Sequence, residues 1–199
     1  MTMLARALVV PTEDHCLGFF REMYEAGRVP IPQHARVLEI GSAEADWLTP
    51  FKDSRPDVHL TGMDQRSPGE KGANGDYGRP GADVFVLGDL LNADLFAPAS
   101  FDVIVAISVI EHVGIGRYGD PLDPDGDMKA MAHCHRWVKP NGLMYIDVPY
   151  RPQGPSDPFR KYNETDLRAR VIHGWREIDR QHFDANHPDA PYVALVLKP

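Results

Sequence analysis

Residues 36–45 have the sequence RVLEIGSAEA. The first five form a largely apolar run that predicts a buried strand, and the small residues Gly41, Ser42 and Ala43 predict a tight turn after it. Little side-chain bulk at such a turn lets a ligand approach the backbone, and a helix that begins there presents free N–H groups to an anion. The segment therefore predicts a strand, a turn and a helix start that together suit a carboxylate or a phosphate.

Two acids follow at the ends of the next apolar runs. Asp64 comes 23 residues after Gly41 and ends the run 58–63, close to the offset of about 20 residues typical of an acid that binds ribose hydroxyls. Asp89 ends the run 83–88 and is suited to accept a hydrogen bond from the exocyclic amine of a base. Because ligands of doubly wound folds bind at the carboxyl ends of the strands, the turn and the two acids predict a nucleoside site.

In this order, the motifs resemble those of the class I S-adenosylmethionine-dependent methyltransferases, from about residue 36 to the C-terminus. The family's first motif has an acid, an apolar residue and glycines at alternate positions. Glu39 and Gly41 match it, whereas Ala43 and Ala45 replace the later glycines and add methyl groups where the methionine end of the cofactor would lie. The resemblance implies S-adenosylmethionine as cofactor and S-adenosylhomocysteine as product.

Three later segments extend the resemblance. Residues 101–113 resemble the fourth strand and the start of its helix, and residues 137–148 resemble the turn into the fifth strand. Residues 162–167 and 174–175 resemble the last helix and the turn into the sixth strand. Residues 111–127 are unusual for the family and resemble a little-characterised group of methyltransferase-like proteins found partly among glycan and polysaccharide genes. The residues that the resemblance places against the cofactor are Glu39, Gly41, Ser42, Ala43, Asp64, Gln65, Asp89, Leu90, Ser108 and Val109.

The fold class that these patterns predict is α/β, with a doubly wound, mostly parallel seven-stranded sheet whose last strand is antiparallel. We expect one domain over residues 1–199, with residues 1–35 as an N-terminal helical extension and residues 36–199 as the cofactor-binding and catalytic core. The helix of the extension is predicted from Thr12 to about Ala26, covering either the cofactor edge or the flank of the sheet.

Three local features of the sequence refine the predicted order of helices and strands. Pro50 would kink or end the helix after the first turn unless that helix starts late. Residues 65–82 contain several glycines and prolines and predict a loop where the family usually has a helix. Residues 175–180 and 192–198 are predicted to pair as antiparallel strands.

Composition narrows the function classes. A formal net charge of −8 without a basic stripe argues against sequence-independent nucleic-acid binding. The two cysteines, Cys16 and Cys134, belong to no disulfide framework or paired metal motif, and the apolar run 4–10 is too short to span a bilayer. We therefore expect a cytoplasmic protein with reduced thiols, no membrane partner, and a small-molecule or sugar substrate. The oligomeric state is left open.

His112 is the predicted catalytic residue. If the acceptor is a hydroxyl, a general base assists methyl transfer, and His112 is expected at the start of the helix after the fourth strand, facing the pocket. The positive end of a helix disfavours imidazolium, so the ring would be neutral and able to accept a proton. A packing or capping role for His112 is the alternative. The residues expected to orient the substrate are Glu111, Tyr118, Tyr150 and Arg151.

The acids between residues 120 and 127 raise a metal hypothesis that their spacing does not support. Counted from Asp123, the glycine falls at the fourth position and Cys134 at the twelfth, so the segment is not an EF-hand loop. We predict a turn at residues 124–126 and a helix from Met128 to Val138 capped by Asp127, with no metal. The basic residues Arg151, Arg160 and Lys161 are expected near the pocket, either holding an anionic substrate or as solvated surface charge.

Three functions are compatible with these patterns. The first is a methyltransferase, with an oxygen acceptor favoured over nitrogen because of the possible His112 base. The second is a non-catalytic nucleoside-binding protein on the same fold, which the alanines at positions 43 and 45 keep open. The third is an NAD-dependent oxidoreductase, which lacks support because the glycine fingerprint is incomplete and no tyrosine–lysine pair has helical spacing.

Overall fold

A seven-stranded sheet forms the centre of the molecule. The computed structural model describes residues 15–42, 47–66, 71–72, 75–76, 81–152, 158–183 and 191–199. The strands of the sheet are β1 (Arg36–Ile40), β2 (His59–Asp64), β3 (Val84–Leu87), β4 (Phe101–Ile107), β5 (Val138–Pro149), β6 (Arg176–Phe183) and β7 (Tyr192–Lys198). Their order is β3-β2-β1-β4-β5-β7-β6; β1 to β5 pair in parallel, and β7 is antiparallel to both of its neighbours. This confirms the predicted sheet.

The strand order reverses between β1 and β4. Ile40 of β1 lies opposite Met63 of β2 on one side and opposite Ala106 of β4 on the other. The chain therefore leaves the carboxyl ends of these strands in opposite directions, which opens a crevice at this edge of the sheet. The predicted nucleoside residues follow these strand ends, so the fold brings them to one edge.

Helices cover both faces of the sheet. On one face, α1 (His15–Glu25) and α2 (Leu48–Ser54) pack over strand residues such as Val105 and Tyr145. The ring of Phe20 in α1 lies 4.8 Å from that of Trp47 and 5.0 Å from that of Tyr145. Helix α1 thus covers the flank of the sheet, one of the two predicted places; the predicted Thr12 cap lies outside the described residues.

On the other face, α3 (Gly126–Trp137) packs over Ile104 and Ile146 through residues that include Met131 and Trp137. Adjacent residues of each strand serve opposite faces, as a pleated strand requires. Among the described residues, no helix has the length and apolar character to cross a membrane.

Helix α2 resolves the conflict around Pro50. The helix starts at Leu48 with Trp47 as its N-cap, so Pro50 is the third helical residue. A proline in the first turn costs little because the N–H that it lacks has no partner within the helix. The helix therefore starts late enough to contain Pro50 in its first turn, which is the exception that the sequence analysis allowed.

Two predicted features differ from the structure. After β4 the chain makes only a single 3₁₀ turn (Ile110–His112), and the next helix begins at Gly126; the prediction of a helix start there was wrong beyond one turn. Gly114, Gly116 and Gly119 have positive φ, which ends helical structure. The segment 65–82 contains a short hairpin, Lys71–Gly72 paired with Gly75–Asp76, which the sequence did not predict, and no helix in its described residues.

Asp127 is not the N-cap that was predicted. The N-cap position is Asp125, and Asp127 lies inside α3 with its side chain fully buried. Its Oδ2 accepts hydrogen bonds from Tyr162 Oη at 3.0 Å and Arg170 Nε at 2.9 Å, and its Oδ1 accepts one from Arg170 Nη2 at 2.7 Å. The carboxylate therefore joins α3 to the C-terminal part of the chain.

That C-terminal part begins with a short helical turn, Glu164–Asp166, which widens into a π-type turn at Leu167–Val171. Asn163 caps it, since its Oδ1 accepts a hydrogen bond from Asp166 N at 3.0 Å. Strands β6 and β7 then pair antiparallel, as predicted from residues 175–180 and 192–198.

Candidate functional site

The turn after β1 has the geometry that its glycine was expected to provide. Gly41 has a φ of +81°, and its N–H donates to Met63 O at 2.9 Å. A Cβ at this position would lie 2.5 Å from Cγ2 of Val109, the residue that follows the end of β4 by two positions. Only glycine accepts both the backbone conformation and this approach. Ala43, Glu44 and Ala45 lie outside the described residues.

Two buried polar atoms beside this turn have no hydrogen-bond partner among the described residues. Glu39 is 2% exposed; its Oε1 is 3.4 Å from Trp47 Nε1, and its Oε2 has no partner there. Ser42 is fully buried, and its Oγ is also without one. Burial raises the pKa of Glu39 well above its usual value, and the negative charge of Asp147 raises it by a smaller amount. Because buried polar groups are nearly always satisfied, these atoms point to a polar ligand or water at the turn.

Asp64 lies at the end of β2, where a ribose acid was predicted, and Arg66 holds it there. Arg66 donates to Asp64 Oδ1 from its backbone N and its Nε, each at 2.9 Å, and to Oδ2 from Nη2 at 3.0 Å. A carboxylate has about four acceptor sites, so these three bonds use most of its capacity. A ribose would have to compete with Arg66 for this group. Arg66 was not predicted as a partner of Asp64, although a basic residue two positions after an acid can pair with it.

Asp89 and Leu90 follow β3 at the same edge. Asp89 Oδ1 accepts a hydrogen bond from Leu91 N at 2.8 Å, an Asx turn. Leu90 is buried, and its carbonyl oxygen lies 2.9 Å from His133 Nδ1. The Gly88 N–H donates to Asp64 O at 2.9 Å, so the ends of β2 and β3 are adjacent. Gln65 is exposed at the start of the loop.

Ser108 joins the end of β4 to a buried polar network. Its φ is +51°, unusual for a residue other than glycine. Its N–H donates to Asp147 Oδ1 at 2.9 Å, and its hydroxyl donates to Glu111 Oε1 at 2.6 Å and lies 3.4 Å from Tyr192 Oη. Asp147 also accepts from Tyr145 Oη at 2.9 Å. The strained backbone at Ser108 is thus held by bonds on both sides of the residue.

Burial shifts the protonation of both Glu111 and His112. Burial raises the pKa of the Glu111 carboxyl to about 7, although Ser108, Lys161 and Arg117 favour its charged form. Burial also lowers the pKa of His112 to about 4, and the positive charges of Arg117, Arg66 and Lys161 add to this. His112 is therefore neutral at pH 7, as expected, but because of burial and nearby cations rather than a helix end.

Aromatic rings surround His112. Its ring lies 5.9 Å from that of Tyr118 and 5.2 Å from that of Phe159, both in edge-on geometry. The Arg66 guanidinium lies 4.7 Å from the centre of the Tyr118 ring, and Lys161 Nζ lies 3.6 Å from the centre of the Phe159 ring. Tyr118 thus contacts both Arg66, which holds Asp64, and His112. Phe159 was not predicted from the sequence, because it is 47 positions from His112.

The other predicted substrate residues have different surroundings. The Tyr150 hydroxyl donates to Glu164 Oε2 at 3.1 Å, and its ring lies 4.8 Å from that of His182 in β6; these contacts bind it to the C-terminal part of the chain. Arg151 follows it and is half-buried. Arg160 donates to the carbonyl oxygens of Val113, Asp123 and Pro124. Arg160 therefore braces the loop 113–125 instead of extending into the pocket.

The acids 120–127 have separate structural roles. Asp120 accepts from the N–H groups of Gly116 and Tyr118, each at 3.2 Å, and Asp123 binds Lys129 Nζ at 2.5 Å. Across the part of the chain that the structure describes, His, Cys, Asp and Glu side chains form no group of three or more that could hold a metal ion.

A cavity of about 460 Å³ lies at the opposite, amino-terminal edge of the sheet, beside Lys139, Asn141 and Gly142. Its acid, Asp102, accepts two hydrogen bonds from Lys139 Nζ at 2.8 Å. The cavity is therefore separate from the turn, the acids and His112 at the carboxyl edge.

Comparisons with known proteins establish the fold. A family model described as "Caenorhabditis protein of unknown function, DUF268" matches residues 91–158, which is less than half of the chain. No curated protein sequence matches. Among solved structures, the N-methyltransferase NodS from Bradyrhizobium japonicum in complex with S-adenosylhomocysteine is 14% identical, with 94% of this chain and 88% of that chain covered and a TM-score of 0.64.

A second similar structure is the 1,6-didemethyltoxoflavin-N1-methyltransferase of Burkholderia thailandensis, which contains S-adenosylhomocysteine. It is 19% identical, with coverage of 96% and 92% and a TM-score of 0.59. A third is the [4+2]-cyclase SpnF, 13% identical, with coverage of 87% and 78% and the same TM-score. The chain thus has the Rossmann-like fold of S-adenosylmethionine-dependent methyltransferases. The presence of a cyclase shows that this fold carries other chemistry as well.

Proposed function

We propose that this protein is an S-adenosylmethionine-dependent methyltransferase that acts in the cytoplasm on a small-molecule or sugar acceptor. The observation that carries the proposal is the pair of buried atoms at the first turn, Glu39 Oε2 and Ser42 Oγ, which have no partner among the described residues. They lie beside a glycine with positive φ at the strand-order reversal, on the same edge as Asp64. This is where doubly wound folds bind nucleosides.

The residues present fit the cofactor. Asp64 would accept from the two ribose hydroxyls, Asp89 would accept from the adenine amine, and the polar end of the cofactor would satisfy Ser42 and Glu39. When bound, this cofactor supplies an already activated methyl group on a sulfonium. The chain then has to align the acceptor with that group and exclude water. We assign His112, Glu111 and Tyr118 to the acceptor side, because these three residues are neighbours.

A hydroxyl acceptor is the form that we favour, because Glu111 and the neutral ring of His112 are groups that can receive a proton. A nitrogen acceptor is the second candidate, since two structures similar to this chain are N-methyltransferases. A non-catalytic nucleoside-binding protein, which would have the same first turn, is the alternative.

Calorimetric titration with S-adenosylmethionine, S-adenosylhomocysteine and NAD tests the cofactor. We expect saturable binding of the first two, no binding of NAD, and a loss of at least about 100-fold in affinity in Asp64→Ala, because two hydrogen bonds to a charged group are removed. Asp94→Ala is the control, since Asp94 is an exposed acid whose partner is Arg136. Failure of both sulfur nucleosides to bind would overturn the proposal. Binding without methyl transfer to any acceptor in a panel of hydroxyl and amine compounds would favour the binding protein.

A further inference from the structure

Arg117 is an exposed cation on the acceptor side of the site. Its guanidinium lies 5.5 Å from the centre of the Tyr118 ring, and no acid among the described residues forms an ion pair with it. The Arg66 guanidinium lies 4.7 Å from the same ring, but it donates to both oxygens of Asp64. Of the two arginines on this ring, Arg117 is therefore the one whose donors remain available to a ligand.

The loop that contains Arg117 is held in place on both sides of this residue. The Asp120 carboxylate accepts hydrogen bonds from the N–H groups of Gly116 and Tyr118, each at 3.2 Å. Arg160 donates to carbonyl oxygens at both ends of the same loop. Because the backbone is fixed and the guanidinium lies against an aromatic ring, Arg117 has less freedom to lose on binding than an ordinary surface arginine has.

Positive charge exceeds negative charge around His112, whose ring lies beside Tyr118. Besides burial, Arg117, Arg66 and Lys161 disfavour the charged form of His112, whereas Asp120 favours it. Arg66 is balanced by its ion pair with Asp64. Burial raises the pKa of the neighbouring Glu111 to about 7, so this carboxyl carries only part of its charge at neutral pH. The side chains around His112 therefore attract an anion, although the chain as a whole has a net charge of −8.

Resting on the proposed function, we propose that the methyl acceptor has an anionic group, a carboxylate, sulfate or phosphate, and that Arg117 binds this group beside Tyr118 and His112. A planar guanidinium donates two parallel hydrogen bonds to such a group. Tyr118 is 36% exposed and the His112 side chain is 16% exposed, so a small molecule in contact with these rings can reach Arg117 from solvent. Arg117 is thus a residue that determines specificity and takes no part in the methyl transfer itself.

Titration with sulfate tests the anion site without cofactor or acceptor. Sulfate replaces chloride at pH 7 and constant ionic strength, and NMR signals of the His112 ring report binding. We expect a saturable shift, with affinity at least about tenfold weaker in Arg117→Ala because hydrogen bonds between charged groups are lost. Arg117→Lys should restore part of the affinity, since it keeps the charge but not the two-point geometry.

Arg176→Ala is the matched control for this titration. Arg176 is an exposed arginine of β6 that also forms no ion pair among the described residues. This variant should bind sulfate as the wild type does. A shift that does not saturate, or equal affinity in wild type and Arg117→Ala, would overturn the proposal.

Paired compounds test the substrate class. Protein saturated with S-adenosylhomocysteine is titrated with glucuronate and glucose, and with 4-hydroxybenzoate and 4-hydroxybenzyl alcohol. In at least one pair we expect the acid to bind at least about tenfold more tightly than the neutral compound, and this preference to be lost in Arg117→Ala. Equal binding of acid and neutral compound in both pairs would overturn the anionic acceptor. If the protein binds no S-adenosylhomocysteine, the proposed function fails, whereas the sulfate titration still decides whether Arg117 binds an anion.

Discussion

The two halves of the carboxyl edge are built in different ways. The half at the ends of β1 to β3, which we propose for the nucleoside, is called the nucleoside half; its acids Asp64 and Asp89 are held by donors two residues away, Arg66 and the Leu91 N–H. The half after β4, which we propose for the acceptor, is called the acceptor half, and distant residues provide its contacts. Arg160 donates from its backbone N to Glu111 O at 3.1 Å and from its guanidinium to the loop 113–125.

The contacts in the nucleoside half are between residues close in the sequence, whereas those in the acceptor half are between residues far apart in it. A turn and an acid whose hydrogen-bond partners are close in the sequence are positioned by local structure. A site that is closed by residues 40 or more positions away buries groups that would otherwise be solvated, and burial then changes their pKa. The acceptor half is where Glu111 and His112 depart from their usual values.

The largest expected effect is on stability, through the buried ion pair of Asp127 and Arg170 that joins α3 to the C-terminal part of the chain. Asp127→Ala removes a buried carboxylate and leaves Arg170 without it, which should lower the free energy of unfolding by about 3–5 kcal/mol. Asp125→Ala is the control, since Asp125 is largely exposed and 3.6 Å from Arg170; it should change stability by less than about 0.5 kcal/mol. Urea unfolding measures both. Equal losses of unfolding free energy in the two variants would contradict a stabilising role of this buried ion pair.

Glu111→Gln should stabilise the protein at high pH. The folded-state pKa of about 7 exceeds the usual value of 4.5, so the folded protein holds this proton more tightly than the unfolded chain does. Wild-type stability is therefore lost as pH rises from about 4.5 to 7, by roughly 3 kcal/mol in total. The variant lacks this loss and should exceed the wild type at pH 8 but not at pH 4.

The lowered pKa of His112 acts in the opposite direction. Its stabilising effect is present above the unfolded-state value of about 6.5 and is lost as pH falls towards 4. Because both proteins contain His112, this contribution cancels in the difference between wild type and Glu111→Gln. A difference that does not vary with pH would contradict the assigned Glu111 pKa.

Gly41→Ala tests the local construction of the nucleoside half. Alanine at a φ of +81° and a Cβ 2.5 Å from Val109 Cγ2 should together cost about 2–3 kcal/mol. Gly27→Ala is a matched control, because Gly27 has a φ of +72° and no atom within 4 Å of its virtual Cβ; only the backbone cost of about 1 kcal/mol applies there. Adding Val109→Ala to Gly41→Ala removes the steric clash, so the double variant should recover the stability that Gly41→Ala loses beyond Gly27→Ala.

The smallest expected effect concerns Arg66. Arg66→Ala should tighten S-adenosylhomocysteine binding by up to about tenfold, since the ribose would no longer compete with a charged, two-point hydrogen bond for Asp64. Arg117→Ala should leave the affinity within about twofold; its guanidinium also lies near the Tyr118 ring, at 5.5 Å. Weaker binding in Arg66→Ala would show that Arg66 holds the nucleoside rather than competing with it.

Residue patterns in the sequence predicted where the strands occur along the chain, the glycine turn and the acid at the end of β2. Each depends on residues that are near one another in the chain: apolar runs with a strand period, a residue that tolerates positive φ, and an acid directly after a strand. The parallel sheet then brings strand ends to a common edge. The late start of α2, which places Pro50 in its first turn, was also open to prediction, because proline geometry is local.

The roles of Asp127 and Glu111 depend on contacts that form only in the folded chain. Asp127 follows a turn and precedes a helix, so its sequence suggests a cap, but Arg170 is 43 residues away and draws it into a buried pair. The same holds for Glu111, whose pKa depends on burial and on Lys161, 50 positions later. Burial and long-range charge are properties of the assembled chain, and they cannot be obtained from residue spacing.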